Sequence, residues 1–208
     1  MYFCKINIPQ IKQTEKALKT IVNDIKTGNL YGSSDFDDMD FDYDCRVFDD
    51  PNEMREALRD KNQINNKSRM VAGYCYDWNV KHRRGDWDVM LEDNFKAKWN
   101  LENDKVWAIN PDSFEEIGCI HTAQGLEFDY VGVFIGKDLT YNPVTRSIET
   151  HREAISNDDN SSGIRSAAPA KAHQLILNTY KTLLTRGQKG CYVYCEDPEL
   201  RKFIKSKL

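Results

Sequence analysis

The sequence predicts an α/β domain built on a mainly parallel sheet, and three observations carry that prediction. Short apolar runs rich in β-branched residues and bounded by glycine recur, notably at 117–120 and 131–135, as in strands buried on both faces. Between such runs stand stretches with apolar residues at helical spacing. The clearest is Lys171 to Thr185, where Leu175, Ile176, Thr179, Tyr180, Leu183 and Leu184 share a face. Twice an aspartate followed by proline marks a helix start, at Asp50-Pro51 and Asp197-Pro198. Strands alternating with helices give a parallel sheet covered on its faces.

A chain of 208 residues suits one domain with an insertion and is long enough for a sizeable core. Hydrophobic residues make up 40% and charged residues 30%, a soluble globular balance. No apolar run approaches the roughly 20 residues that cross a bilayer. The start, Met1 to Pro9, has no apolar core of a secretory signal, so a cytoplasmic location and no membrane partner are expected. The six cysteines, Cys4, Cys45, Cys75, Cys119, Cys191 and Cys195, form no Cys-x-x-Cys pair, and reduced core thiols are the expectation. A net charge of −4 argues against broad nucleic-acid binding by charge alone but leaves room for a local groove.

Taken in order, 10–26 reads as an amphipathic helix stopped at Gly28. From Ser33 to Asp44 aspartates alternate with aromatic residues. Carboxylates there fall at several positions of a calcium loop starting at Asp38. Tyr43, however, stands where such a loop needs glycine, and no glutamate closes it, so a solvated acidic loop is the better reading. Cys45 to Phe48 is a short strand, followed by a helix from the Asp50 cap to about Lys61 that buries Met54, Ala57 and Leu58. Arg69 to Tyr76 is a buried strand. The segment after it mixes Trp78, Lys81, His82, Arg83, Arg84, Trp87 and Trp99. That mixture suits bases stacked on rings with phosphates held by cations, and it suits half-buried tryptophans on an irregular hairpin equally well. Leu139 to Ala154 reads as a hairpin around Asn142-Pro143, and 157–166 as a mobile Ser/Asn/Asp/Gly-rich connection. The 171–185 helix ends at Gly187, Gly190 to Cys195 is a strand, and Asp197 caps a last helix to about Lys207.

Between the two glycine-bounded runs lie His121, Thr122, Gln124, Gly125, Glu127 and Asp129. Polar residues packed between buried strands face solvent, a ligand or another chain, and Gly125 permits a positive φ or a close approach. Their order, His-Thr-Ala-Gln-Gly-Leu-Glu-Phe-Asp, resembles motif V of superfamily-one helicases. Downstream, Asn178 to Tyr194 resembles motif VI, a helix ending in Leu184-Thr185-Arg186 followed by a strand. Two such motifs in order are far more specific than either alone. Together with Tyr43 to Met54 they resemble the Schlafen-group-like DNA/RNA helicase family of bacteria, over roughly Phe41 to Leu208.

The resemblance implies a RecA-like sandwich: an N-terminal helix and acidic linker at 1–40, then a second RecA-like domain at 41–208 with an insertion at 138–170. It implies that Arg186 is an arginine finger, whose planar fork suits a phosphoryl group gathering charge. Gln124, Gly125 and Glu127 would bind nucleotide, with Glu127 accepting from the ribose and Gln124 coupling the two sites. His121 and Thr122 would contact a nucleic-acid backbone. The matching place for the motif IV arginine is empty here. No Gly-x-x-x-x-Gly-Lys-Ser/Thr occurs; Gly132 to Asp138 is one residue short and lies in a strand. The family's upstream Gln-Phe-Arg triplet is also absent, so the resemblance implies that any first lobe ends before this chain begins. ATP and magnesium are expected only together with a P-loop lobe, and the partners are that lobe and single-stranded DNA or RNA. Read without the resemblance, Arg186 is a surface cation near a helix C-terminus, and the chain is equally a stand-alone binding module.

Overall fold

A computed structural model describes residues 43–100, 107–123, 127–159 and 162–208; the expected 10–26 helix, the 1–40 segment, Gln124 and Gly125 lie outside them. The main sheet has seven strands: β1 (Asp44–Val47), β2 (Ser68–Ala72), β3 (Val89–Met90), β4 (Lys96–Trp99), β5 (Glu116–Gly118), β6 (Phe128–Ile135) and β9 (Gly187–Cys195), in the order β1-β9-β6-β2-β5-β4-β3. All neighbours are parallel except β3 and β4. A separate hairpin pairs β7 (Leu139–Asn142) with β8 (Ser147–Thr150), as the turn at Asn142-Pro143 predicts.

Helix α1 (Pro51–Asn65) starts where the sequence says it does. The Asp50 carboxylate accepts the Asn52 N–H at 2.7 Å, and Pro51 supplies a preset φ in the first turn. Asp49, beside Asp50, pairs with Lys205 at 2.6 Å instead. The helix continues past Lys61 because Asn66 closes it in the left-handed region, at φ 57°. Met54 and Leu58 are buried as expected, while Ala57 is only half-buried. A Cβ on Gly132 of β6 would meet Leu58 Cδ1 at 2.2 Å, so the bare backbone there lets α1 lie against the sheet.

Helix α2 (Pro169–Leu184) covers the other face. Met70 stands in register with Gly132 and so faces α1; by alternation Gly73 points the other way, where a Cβ would meet Tyr180 of α2. Helix α3 (Pro198–Lys205), capped by the Asp197 carboxylate on Leu200 N–H at 2.9 Å, docks against β1, β9 and the hairpin. Tyr141 of β7 stacks on Phe203 of α3 with centroids 4.4 Å apart.

The connection after β8 is not loose in its described parts: Ile155, Ser156, Asp159 and Ile164 are buried. Ser156 donates to Asp77 in the segment after β2, and Asp159 accepts from Ser162, so these polar residues are satisfied by protein partners. The five cysteines among the described residues are free thiols, three of them buried. Among the described residues no helix is long and apolar enough to cross a membrane.

Arg69 is fully buried and has no carboxylate partner among the described residues. Its guanidinium donates to Ser113 Oγ at 3.0 Å, to Asn62 Oδ1 at 3.0 Å, to Asn66 Oδ1 at 3.0 Å and to the carbonyls of Ser68 and Asn110. Burial lowers its pKa to about 10, which leaves it charged at neutral pH.

Candidate functional site

The described polar residues of the stretch after β5 do not form one cluster. Strands β5 and β6 both run parallel to β2, so the connection 119–127 must travel from the carboxyl edge of the sheet back to its amino edge. His121 and Thr122 therefore stand at one edge, and Glu127 and Arg186 at the other.

At the amino edge, Glu127 and Arg186 occupy equivalent places, each one residue before the paired Phe128 and Gly187 on adjacent strands. The register between β6 and β9 then slips: Phe128 pairs with Gly187 but Tyr130 pairs with Gly190, so β9 carries an extra residue. Such a bulge re-aims the side chains it contains. Here it sends the Gln188 amide to Glu127 Oε2 at 2.5 Å and the Lys189 ammonium to Asp129 Oδ2 at 2.6 Å. Asn65 at the end of α1 donates to the same Asp129 oxygen at 2.8 Å. Burial pushes the Asp129 carboxyl up, but the Lys189 and Asn65 donors outweigh it and hold it below its ordinary value. Arg186 is half-buried, and its Nε is buried without a hydrogen-bond partner among the described residues.

Gln188 and Lys189 escaped the sequence reading because that strand was begun at Gly190. The only signal was polar residues between two glycines, which says "turn" as readily as "bulge".

At the carboxyl edge, Thr122 Oγ1 accepts from Cys119 N–H at 2.9 Å and donates to Cys119 O at 3.0 Å. The hydroxyl thus closes the turn that presents His121 to solvent. The His121 ring lies 5.9 Å from the ring of Tyr74, which follows β2. The segment after β2 continues along this edge. Trp99 is fully buried, Trp78 half-buried, and Trp87 remains 38% exposed. Two of the three tryptophans are thus packed, as the hairpin reading has it.

Behind the same edge, Asp138 is buried and accepts the Tyr180 hydroxyl of α2 at 2.5 Å, while that oxygen accepts the Gly136 N–H at 3.2 Å. This clamp fixes the helix that ends before Arg186. Burial pushes the Asp138 carboxyl up to about 6, against the lowering effect of the Tyr180 hydrogen bond. Between the ordinary value of 3.8 and about 6 the folded state holds a proton that the unfolded chain has lost. Its contribution to stability is full below the lower value and falls as pH rises through the upper, by up to about 3 kcal/mol. Asp138→Asn keeps an acceptor for Tyr180 and removes the titration. Urea melts at about pH 4 and about pH 8 are expected to show the variant gaining up to about 3 kcal/mol on the natural chain across that interval. A constant difference would return Asp138 to an ordinary carboxyl.

A mainly parallel sheet with helices on both faces is a RecA-like sandwich, here with polar clusters at both ends of its strands. The chain belongs to the family described as Schlafen group 3, DNA/RNA helicase domain, which it matches over residues 12–197. It is 31% identical over 174 residues to the uncharacterized protein YPL245W of Saccharomyces cerevisiae; the match takes in 80% of this chain and 37% of that protein. The chain thus spans little more than a third of the length of this relative. No solved structure matches it.

Proposed function

We propose that this chain is the second motor lobe of a superfamily-one helicase-like ATPase. Its amino edge faces a nucleotide held by a P-loop lobe, and its carboxyl edge faces nucleic acid. The observation that carries the reading is that Arg186 and Glu127 stand side by side, each one residue before the paired Gly187 and Phe128, with the Arg186 Nε buried and without an acceptor among the described residues. Arg186 meets the charge that gathers on the transferring phosphoryl group. Glu127, held by Gln188, accepts from the ribose. Gln124 and Gly125 complete the nucleotide contacts in this reading. At the other edge His121 touches the strand's backbone, on a turn that Thr122 closes.

Magnesium and the phosphate cradle belong to the partner lobe, so the chain alone is expected to release phosphate from ATP no faster than buffer does. Turnover should appear when a P-loop lobe is joined to it. Magnesium-dependent turnover by the pure chain would overturn the division of labour. Continued inactivity of the joined protein would favour the other reading, a binding module on a RecA-like fold. In the same chain, replacing His121 and Thr122 by alanine should weaken single-strand binding without lowering the melting temperature by more than a few degrees. Equal binding would remove both residues from the interface.

A further inference from the structure

The loop after β2 carries cations that no contact described so far uses. Asp88 fixes both of its ends: one carboxylate oxygen accepts Val80 N–H at 2.8 Å and the other accepts Trp99 N–H at 2.8 Å. Within the loop, Arg84 N–H reaches Asn79 O at 2.7 Å and Arg83 N–H reaches Val80 O at 3.0 Å. Arg83 itself sits at φ 55°, a conformation that an L-residue adopts at some cost. The loop is thus held in one shape by its own backbone.

That shape spends some charges and leaves others. Asp158 pairs with Arg84 and lies 3.7 Å from His82, and Asp77 accepts from Ser156. Asp88 is buried on the two amides. Lys81 lies over the Trp78 ring at 5.5 Å, and Arg83 is exposed; neither has an ion-pair partner among the described residues. Asp86 is the one exposed carboxylate between Arg84 and Trp87. Trp78 anchors the loop over β4, with its ring 6.3 Å from Trp99 and its Nε1 donating to Asn100 O at 3.4 Å. Strands β2, β5 and β4 are neighbours, so His121 after β5 and this loop after β2 stand on one edge.

We infer that the 78–87 loop is a second single-strand contact, in which Lys81 and Arg83 take backbone phosphates and Trp87 offers its face to a base. The site continues the His121 surface and rests on the reading of that edge as the nucleic-acid side. Its partner is a flexible, single-stranded polyanion with stackable bases. A preset loop loses little entropy on binding, and a cation pair beside an exposed ring matches alternating phosphates and bases.

The test is fluorescence anisotropy of the full 208-residue chain with labelled oligothymidylate and oligouridylate across a salt series. Lys81→Glu with Arg83→Glu should weaken binding about tenfold or more and reduce the salt slope by about 1.4. Trp87→Ala should weaken it about fivefold at an unchanged slope. A charge-matched control, Lys171→Glu with Lys181→Glu on the exposed side of α2, should do neither, and thermal melts establish folding. Natural affinity in the loop double variant overturns the proposal, as does an equal loss in the control or equal binding of polyglutamate. Loss in the His121 and Thr122 variant alone leaves the proposed function standing and removes the loop. Loss in the loop variants alone leaves the loop and removes His121. Absence of any strand binding overturns both.

Discussion

Replacing Arg186 by alanine in a protein that joins this domain to its P-loop lobe should lower ATP turnover by about a thousandfold or more. The expectation follows from what a fixed guanidinium does beside a phosphoryl group. Charge gathers on the equatorial oxygens only in the transition state, so a fork placed there lowers the barrier more than it strengthens ground-state binding. Nucleotide affinity should therefore fall much less than turnover. Lysine at the same place should restore little, because an ammonium is a point charge without the paired donors. Stability should change by less than about 1 kcal/mol. The Nε is buried with no partner among the described residues, so truncation strands no acceptor there. Steady-state turnover, nucleotide titration and thermal melts on both variants decide the matter. Near-normal turnover in Arg186→Ala, or a loss that tracks unfolding, would leave Arg186 a helix-end cation.

The fold was legible because its signals are local. Asp50-Pro51 and Asp197-Pro198 mark helix starts by a carboxylate that satisfies a free N–H, a contact two or three residues long. The apolar runs of β6 and β9 announce strands buried on both faces. The arrangement of the candidate site residues was not legible. No short pattern says that β5 and β6 flank β2 in parallel, and that topology alone puts His121 and Glu127 at opposite edges. The helix end was misread for a related reason. Gly187 after a helix suggests a left-handed cap, whereas the cap is Thr185, at φ −95°, and Gly187 already belongs to β9. Arg69 shows the same limit. A buried arginine normally announces a carboxylate, yet its acceptors are asparagines, a serine and carbonyls drawn from three separate segments.

Why Gly187 is glycine gives the second large effect. A Cβ there would lie 2.0 Å from the carbonyl oxygen of Gly190, 3.0 Å from its carbon and 3.2 Å from Val131 N. All three are backbone atoms, so no side chain can turn aside to make room. Gly190 cannot retreat either, because its own position is closed by Asp44 O and the Tyr130 ring, each 2.6 Å from where its Cβ would be. The two glycines bracket the bulge that aims Gln188 and Lys189 at Glu127 and Asp129. Gly187→Ala must therefore flatten or shift the bulge. The expected loss is about 3 kcal/mol or more, as for overpacking against rigid neighbours. For a domain of this size that is roughly 6–12 °C in melting temperature. Gln188→Ala removes a bulge side chain without a clash and should change stability by less than about 1 kcal/mol. The displacement also reaches the neighbouring Arg186, so turnover of the joined protein should fall in Gly187→Ala even below its melting transition. Gln188→Ala should keep most of its turnover. A Gly187→Ala variant that melts like the natural chain would mean that the bulge relaxes freely and that the close approach of Gly187 to Gly190 sets nothing at this edge.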